Sequence, residues 1–182
     1  MMSTAALLHF SENPEITVFH PRLAPGKDDP TPLVWAIAES HAFLYYFPRD
    51  CPRVVCWPLP TTSPEDLHHF FGLTNAEAIV TVEGAWLERI AAARLYQYRL
   101  PNESFVPVVP ESDPGFHGAH TAQVSVHPLS VEPVGDLLIA LRDAQVEIRI
   151  TASVWPLMDA LVASTLHYSG IRLRNAAPRP SP

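Results

Sequence analysis

An α+β fold on a split, mostly antiparallel sheet is predicted for this chain by three observations. Apolar or alternating runs of strand length recur along it, short helical patterns interrupt them irregularly, and no glycine-rich strand-to-helix turn occurs. A doubly wound parallel sheet would need regular alternation and such a turn at its ligand end. The 182 residues read as one α+β domain over 1–175, followed by a Pro-rich flexible tail at 176–182. Twenty prolines, roughly twice the usual share, act as punctuation between short elements. No internal repeat of solenoid spacing is visible.

The elements follow in order. AALLH (5–9) reads as a strand, SENPE as a turn or one-turn helix, and ITVF (16–19) as a second extended piece. HPRLAPGKDDPTP has no periodic face and is a loop. PLVWAIA (32–38) is a strand that runs into a helical pattern, ESHAFLYYF (39–47), and RVVCW (53–57) is a further strand. Ser63 is a natural N-cap with Pro64 at the first helical position, and Gly72 closes that helix. EAIVTV (77–82) predicts a strand, GAWLERIAAARL (84–95) a helix, and LYQYRL (95–100) a half-buried strand by its alternation. A short extended piece at 105–109 lies in a loop, and TAQVSVHPL (121–129) alternates as another strand. A helix is expected at 134–144, a strand or an extension of that helix at 146–151, and a helix over 155–169.

Composition excludes several classes of function. The net charge of −7 argues against a nucleic-acid backbone as the main partner, so no DNA partner is expected. IRLRNAAPRP is the one locally basic run, and it also suits a strand with outward arginines. Cys51 and Cys56 lie five apart and would face opposite sides of a strand, so reduced thiols are expected rather than a bridge. The N-terminus lacks the basic region of a signal peptide, and no run reaches the roughly 18 to 20 apolar residues of a membrane span. A cytoplasmic protein is expected.

The familiar chemical motifs are absent. Neither GxxxxGK[ST] nor GxGxxG occurs, and GxSxG is missing too. Nine histidines raise a metal reading, but His117 and His120 sit in a Gly-containing loop without a second matched pair, so no metal is expected. His68 and His69, adjacent on a helix, diverge by about 100°.

His9 is the more informative histidine. It closes an apolar strand just before a polar turn and can project from a sheet end into a cleft. The plainer reading is a core histidine hydrogen-bonded to the backbone. Trp35, Tyr45, Tyr46, Trp57 and Trp86 can stack on a planar ligand or simply fill the core. Arg22 and Arg49 are candidate phosphate anchors, or ion-pair partners of Asp28, Asp29 or Asp50.

LLHFSENPEITVFHPR, LVWAIAESHAFLYYFPRDCPRV, LYQYRLP, VHPLSVEPVGDL and SGIRLRNA together resemble a family of small bacterial proteins known only as a domain of unknown function. More remotely, the order of elements resembles the ADP-ribosyltransferase superfamily, which includes the RNA 2′-phosphotransferases. That second likeness implies an ADP-ribosyltransferase-like fold, NAD as cofactor, and a binding set of His9, Ser11, Arg22, Trp35, Tyr45 and Tyr46. Gln123 falls on the late strand, where the superfamily carries a catalytic glutamate. An amide bears no charge and stabilises a developing cation far less than a carboxylate does. Glu111 and Glu132 are the acids that can replace it if the chain returns them to the cleft.

The resulting expectation is a protein that binds NAD or a nucleotide-like ligand in a cleft near His9, with weak or absent ADP-ribosyl- or phosphotransferase activity. A non-enzymatic interaction module is the alternative, and a metal-dependent hydrolase using His117, His120 and a carboxylate ranks third. Oligomeric state is not legible at this level.

Overall fold

In a computed structural model the chain is described over residues 7–23, 31–110 and 117–179. Residues 5 and 6 of the expected first strand, Asp28 and Asp29, Glu111, and the last three tail residues lie outside that range. The strands are β1 (Leu7–Ser11), β2 (Val34–Ala38), β3 (Arg53–Trp57), β4 (Ala78–Glu83), β5 (Tyr96–Leu100), β6 (Val106–Pro107), β7 (Ala119–Ala122), β8 (Ser130–Pro133), β9 (Val146–Thr151) and β10 (His167–Ile171). The α-helices are α1 (Pro64–Phe71), α2 (Leu87–Ala92), α3 (Leu137–Asp143) and α4 (Trp155–Val162).

The strands form two sheets, one ordered β6-β7-β2-β1-β5-β8 and the other β10-β3-β4-β9. The pairings are antiparallel except for β4 with β9, so the predicted α+β class with mostly antiparallel sheets holds. Contacts along the chain divide it into two compact units, Met1–Tyr45 with Arg94–Val134, and Tyr46–Ala93 with Gly135–Pro182.

The first unit holds the six-stranded sheet. Its core gathers Leu7, Val34, Ala36, Ala38, Tyr98, Leu100 and Ala122 from the strands with Phe19, Phe105 and Val126 from the connections. After β2 the chain tightens into a 3₁₀ turn, Glu39–Tyr45, rather than the expected helix to residue 47, and it buries Ala42 and Leu44. Gly118 must be glycine: its φ is +78°, and a Cβ there would lie 2.6 Å from the His41 Cβ.

In the second unit, the parallel β4–β9 pair needs a crossover, and α3 supplies the helix that packs on β9. One face of the sheet carries Val54, Cys56 and Ile79, which pack with Phe70 and Phe71 of α1 and Leu161 of α4. Helix α1 starts as its sequence signals require, with Ser63 Oγ accepting from the Asp66 N–H and Pro64 in the first turn. The Asp66 carboxylate in turn accepts from the Thr165 N–H at 2.7 Å and the Thr165 hydroxyl at 2.6 Å. These bonds tie the start of α1 to the segment after α4.

Several expectations are corrected. The predicted strand 121–129 ends at Ala122, because β7 lasts only as long as β2 accompanies it, from Ala122 opposite Val34. Residues 123–125 then bend outward and return Val126 to a bridge with Phe19. The predicted helix 155–169 stops at Val162, where the Ser164 hydroxyl donates to the Leu161 carbonyl. His167–Ile171 becomes β10 because β3 offers an open edge to pair with. The predicted helix 84–95 is a 3₁₀ turn, Gly84–Trp86, followed by α2, since Ala93 turns extended ahead of β5. Of ITVF, only Phe19 makes a bridge. Residues 146–151 are a strand, set off from α3 by Gln145 at φ 56°. Strand β8 had no apolar alternation to announce it; it is an edge strand, where its Pro133 is tolerated. Near the C-terminal end, the Ala177 N–H donates to Glu83 Oε2 at 2.9 Å, and Trp155 Nε1 donates to the Ala177 carbonyl at 2.7 Å.

Two predictions follow from the second unit's polar groups. Thr81 Oγ1 is buried in β4 with no hydrogen-bond partner among the described residues. An unsatisfied buried hydroxyl costs about 1–3 kcal/mol. Thr81→Val, of equal shape, is therefore expected to raise the unfolding free energy by about 1 kcal/mol in urea titration; a loss of stability would refute the assignment. The second concerns acid. The Thr165 hydroxyl and N–H hold the Asp66 carboxyl below its ordinary value of 3.8. A carboxylate depressed in the folded state stabilises fully above its unfolded pKa, and the contribution fades as pH falls through the lower folded value. Asp66→Asn is thus expected to melt below wild type at neutral pH and to converge with it as pH drops below 3.8. A pH-independent gap would contradict this.

Candidate functional site

Side chains along β1 alternate between the two faces of the six-stranded sheet, and the register fixes which residues share each face. Leu7 lies opposite Ala38 and Leu100, and His9 lies opposite Tyr98. His9 therefore projects with Leu7, Tyr98, Ala36 and Ala38, on the face that forms the unit's core. Leu8 lies opposite Ile37 and Phe10 opposite Gln97, so Phe10 and Trp35 occupy the other face.

His9 is half-buried and its environment is structural. Its ring packs on Phe19 with centroids 4.6 Å apart, and Phe19 meets Tyr98 edge-on at 5.2 Å. Nδ1 donates to the Trp35 carbonyl at 2.8 Å, and since a carbonyl only accepts, that nitrogen carries the proton. This bond falls where the main-chain pairing of β1 with β2 stops, after Leu8 and Ile37. The imidazole thus continues with its side chain a junction that the backbone leaves off. Residues 13–19 cross the same face: the Tyr98 hydroxyl donates to the Asn13 carbonyl at 2.6 Å and accepts from the Ile16 N–H at 3.1 Å. Phe19 and Val126 exchange main-chain bonds, and His127 Nδ1 donates to the Thr17 carbonyl.

The opposite face carries a row of side chains that crosses the whole sheet. Val106 lies opposite Thr121, Thr121 opposite Trp35, Phe10 opposite Gln97, and Gln97 opposite Glu132. Continuing the β1–β2 register by two residues brings Phe10 level with Trp35. Tyr45, at the end of the 3₁₀ turn, stacks parallel to Phe10 at 6.4 Å with an interplanar angle of 4°. Arg99, exposed and two residues along β5 from Gln97, shares this face. Neighbouring strands are about 4.8 Å apart, so the five side chains from Thr121 to Glu132 span about 19 Å. An aromatic centre flanked by an amide, a carboxylate and a guanidinium suits a planar ligand with polar substituents.

The residues expected from the sequence separate accordingly. Trp35 and Tyr45 belong to the aromatic face, while His9 stands on the core face. Ser11 ends β1, and its hydroxyl accepts from the Asn13 N–H at 3.1 Å to shape the turn. Arg22 is exposed and bridges Leu33 through its main chain. Tyr46 opens the second unit. Gln123 sits on an exposed bend past the end of β7, not on a strand. Of the two acids that could replace it, Glu132 is returned to the aromatic face by β8. Phe10, Gln97 and Arg99 were missed, because only the β1–β5 pairing reveals which residues stand beside Trp35.

The remaining candidates find local roles. His120 Nδ1 bonds the Gly118 carbonyl, and His117 Nδ1 accepts from the Ala119 N–H. Among the described residues, no group of three His, Cys, Asp or Glu side chains is placed to hold a metal ion. Cys51 and Cys56 are both buried and unbridged. Burial pushes each thiol up to about 11, against the pull of Arg53 on Cys51 and of Arg149 on Cys56, so both stay protonated at neutral pH. Among the described residues no helix is long and apolar enough to cross a membrane.

With this geometry in place, the chain can be assigned: it belongs to the family of unknown function DUF6886, whose model matches residues 8–176. The match opens inside β1 and reaches beyond β10, so it takes in both sheets. Neither a curated protein nor a solved structure matches the chain.

If His9 serves the β1–β2 junction, His9→Ala leaves the Trp35 carbonyl without its donor and opens space beside Phe19. The expected cost is about 2 kcal/mol of unfolding free energy, measured by denaturant titration. A histidine held ready for chemistry rather than for packing would instead leave stability unchanged or raise it.

Proposed function

We propose that this protein binds a nucleotide-like ligand, NAD among the candidates, on the aromatic face of the six-stranded sheet. The observation that carries the reading is the row Thr121–Trp35–Phe10–Gln97–Glu132 with Tyr45 stacked on Phe10. A planar base or nicotinamide stacks on the aromatic centre, which contributes about 1–3 kcal/mol per ring in comparable settings. The Gln97 amide offers both a donor and acceptor to a ring edge. Glu132 accepts from ribose hydroxyls, and Arg99 presents a planar fork of donors to phosphate.

The likeness to the ADP-ribosyltransferase superfamily enters this reading as support for the ligand class. A histidine on the first strand, followed by a second strand and a helical turn bearing a tyrosine, is the order that superfamily uses. His9 acts here as a positioning residue: it binds the carbonyl of Trp35 from behind the sheet and sets where the indole stands. The reading is one of binding rather than group transfer. Gln123, in the place of the superfamily's glutamate, is an uncharged amide on an exposed bend.

Calorimetric titration with NAD and with ADP-ribose tests it. Wild type is expected to bind at least one of them, and Trp35→Ala to weaken that binding by roughly 5- to 150-fold, the equivalent of one stacked ring. Gln97→Ala, at a half-buried position, and Arg99→Ala, at an exposed one, test the same face without disturbing the fold. No heat from either ligand, or equal binding by all three variants, would rule the proposal out.

A further inference from the structure

The sequence of β9, VEIRIT, is self-complementary at the edge of the four-stranded sheet. Strand β9 pairs with β4, and no other strand among the described residues pairs with its second edge. An edge of this kind is a template for another strand unless something blunts it. Glu147 and Arg149 project from one face of β9, joined by an ion pair at 2.7 Å, with about a third of each side chain exposed. Val146, Ile148 and Ile150 project from the other face, and Ile150 is 58% exposed.

We infer that β9 pairs with β9 of a second copy of this chain, antiparallel about a two-fold axis at Ile148. In that register Glu147 faces Arg149 of the second copy and Arg149 faces its Glu147, so the two intrachain pairs merge into four alternating charges. Ile148 meets its own equivalent, and the exposed Ile150 is covered by Val146 of the second copy. Three other pairings of this edge with itself are unfavourable. Centring on Glu147 or on Arg149 sets like charges directly opposite, and so does parallel in-register pairing. The charges that protect the edge from general strand addition therefore favour the register centred on Ile148, where each of Glu147 and Arg149 meets its opposite. The interface is isologous and closes at two chains, with one eight-stranded sheet running through the dimer.

The test uses the intact chain in sedimentation velocity. Wild type is expected to run at twice the chain mass of 20.1 kDa. Glu147→Arg places two positive side chains on the edge, and Arg149→Glu places two negative ones, so each variant alone is expected to be monomeric. Mixed in equal amounts, the two variants are expected to form a heterodimer, because every facing pair is again opposite in charge. An intrachain role for the ion pair predicts no association on mixing. Circular dichroism checks that both variants fold; if either does not, Ile150→Lys replaces them and is expected to dissociate the wild-type dimer. A monomeric wild type, variants that dimerise alone, a mixture that stays monomeric, or an Ile150→Lys dimer would each overturn the inference.

Discussion

The placement of β1 is the constraint on which the first unit depends. On one side it pairs with β5 over its whole length, from Leu7 opposite Leu100 to Ser11 opposite Tyr96. On the other, two main-chain pairs with β2 are followed by the His9 side chain bonded to the Trp35 carbonyl. Because side chains alternate, this register decides everything that follows on both faces. A slip by one residue would turn Phe10 into the core and His9 toward the aromatic row. The core histidine and the candidate binding row are thus two consequences of one alignment.

The two units solve the problem of their sheet edges differently. The six-stranded sheet ends in short strands, two residues in β6 and four in β8, both ending in proline, which cannot donate to a further strand. The four-stranded sheet ends in the six-residue β9, whose opposite charges sit on a longer and more apolar edge. Its interior accepts polar groups and, the Thr81 hydroxyl apart, the buried Glu83 and Arg53 are matched. Glu83 takes N–H bonds from Val154 and Ala177, and the buried Arg53 donates to the Cys51 carbonyl while stacking over Phe47.

What was legible in the sequence followed from local signals. The Ser63–Pro64 start of α1 is written in residues that act within one turn, and β3 and β5 declare themselves by apolar content or alternation. Elements defined by a distant partner were not legible. β7 ends opposite the first residue of β2, β10 exists because β3 has an edge to offer, and β8 is recruited by β5 despite its polar sequence. The site divides in the same way. The strand carrying His9 and the aromatic character of Trp35 and Tyr45 were visible, but which of them share a face was not. That depends on the pairing of residues separated by about ninety positions, Phe10 with Gln97 and His9 with Tyr98.

The separation of the two faces is tested most directly by mapping amide and side-chain NMR shifts during titration with NAD. Shifts concentrated at Phe10, Trp35, Tyr45, Gln97 and Arg99, with Leu7, Tyr98 and the His9 ring near their starting positions, are the predicted result. A map centred on the His9 ring, Phe19 and Tyr98, or one with no saturable shifts on the aromatic face, would contradict it.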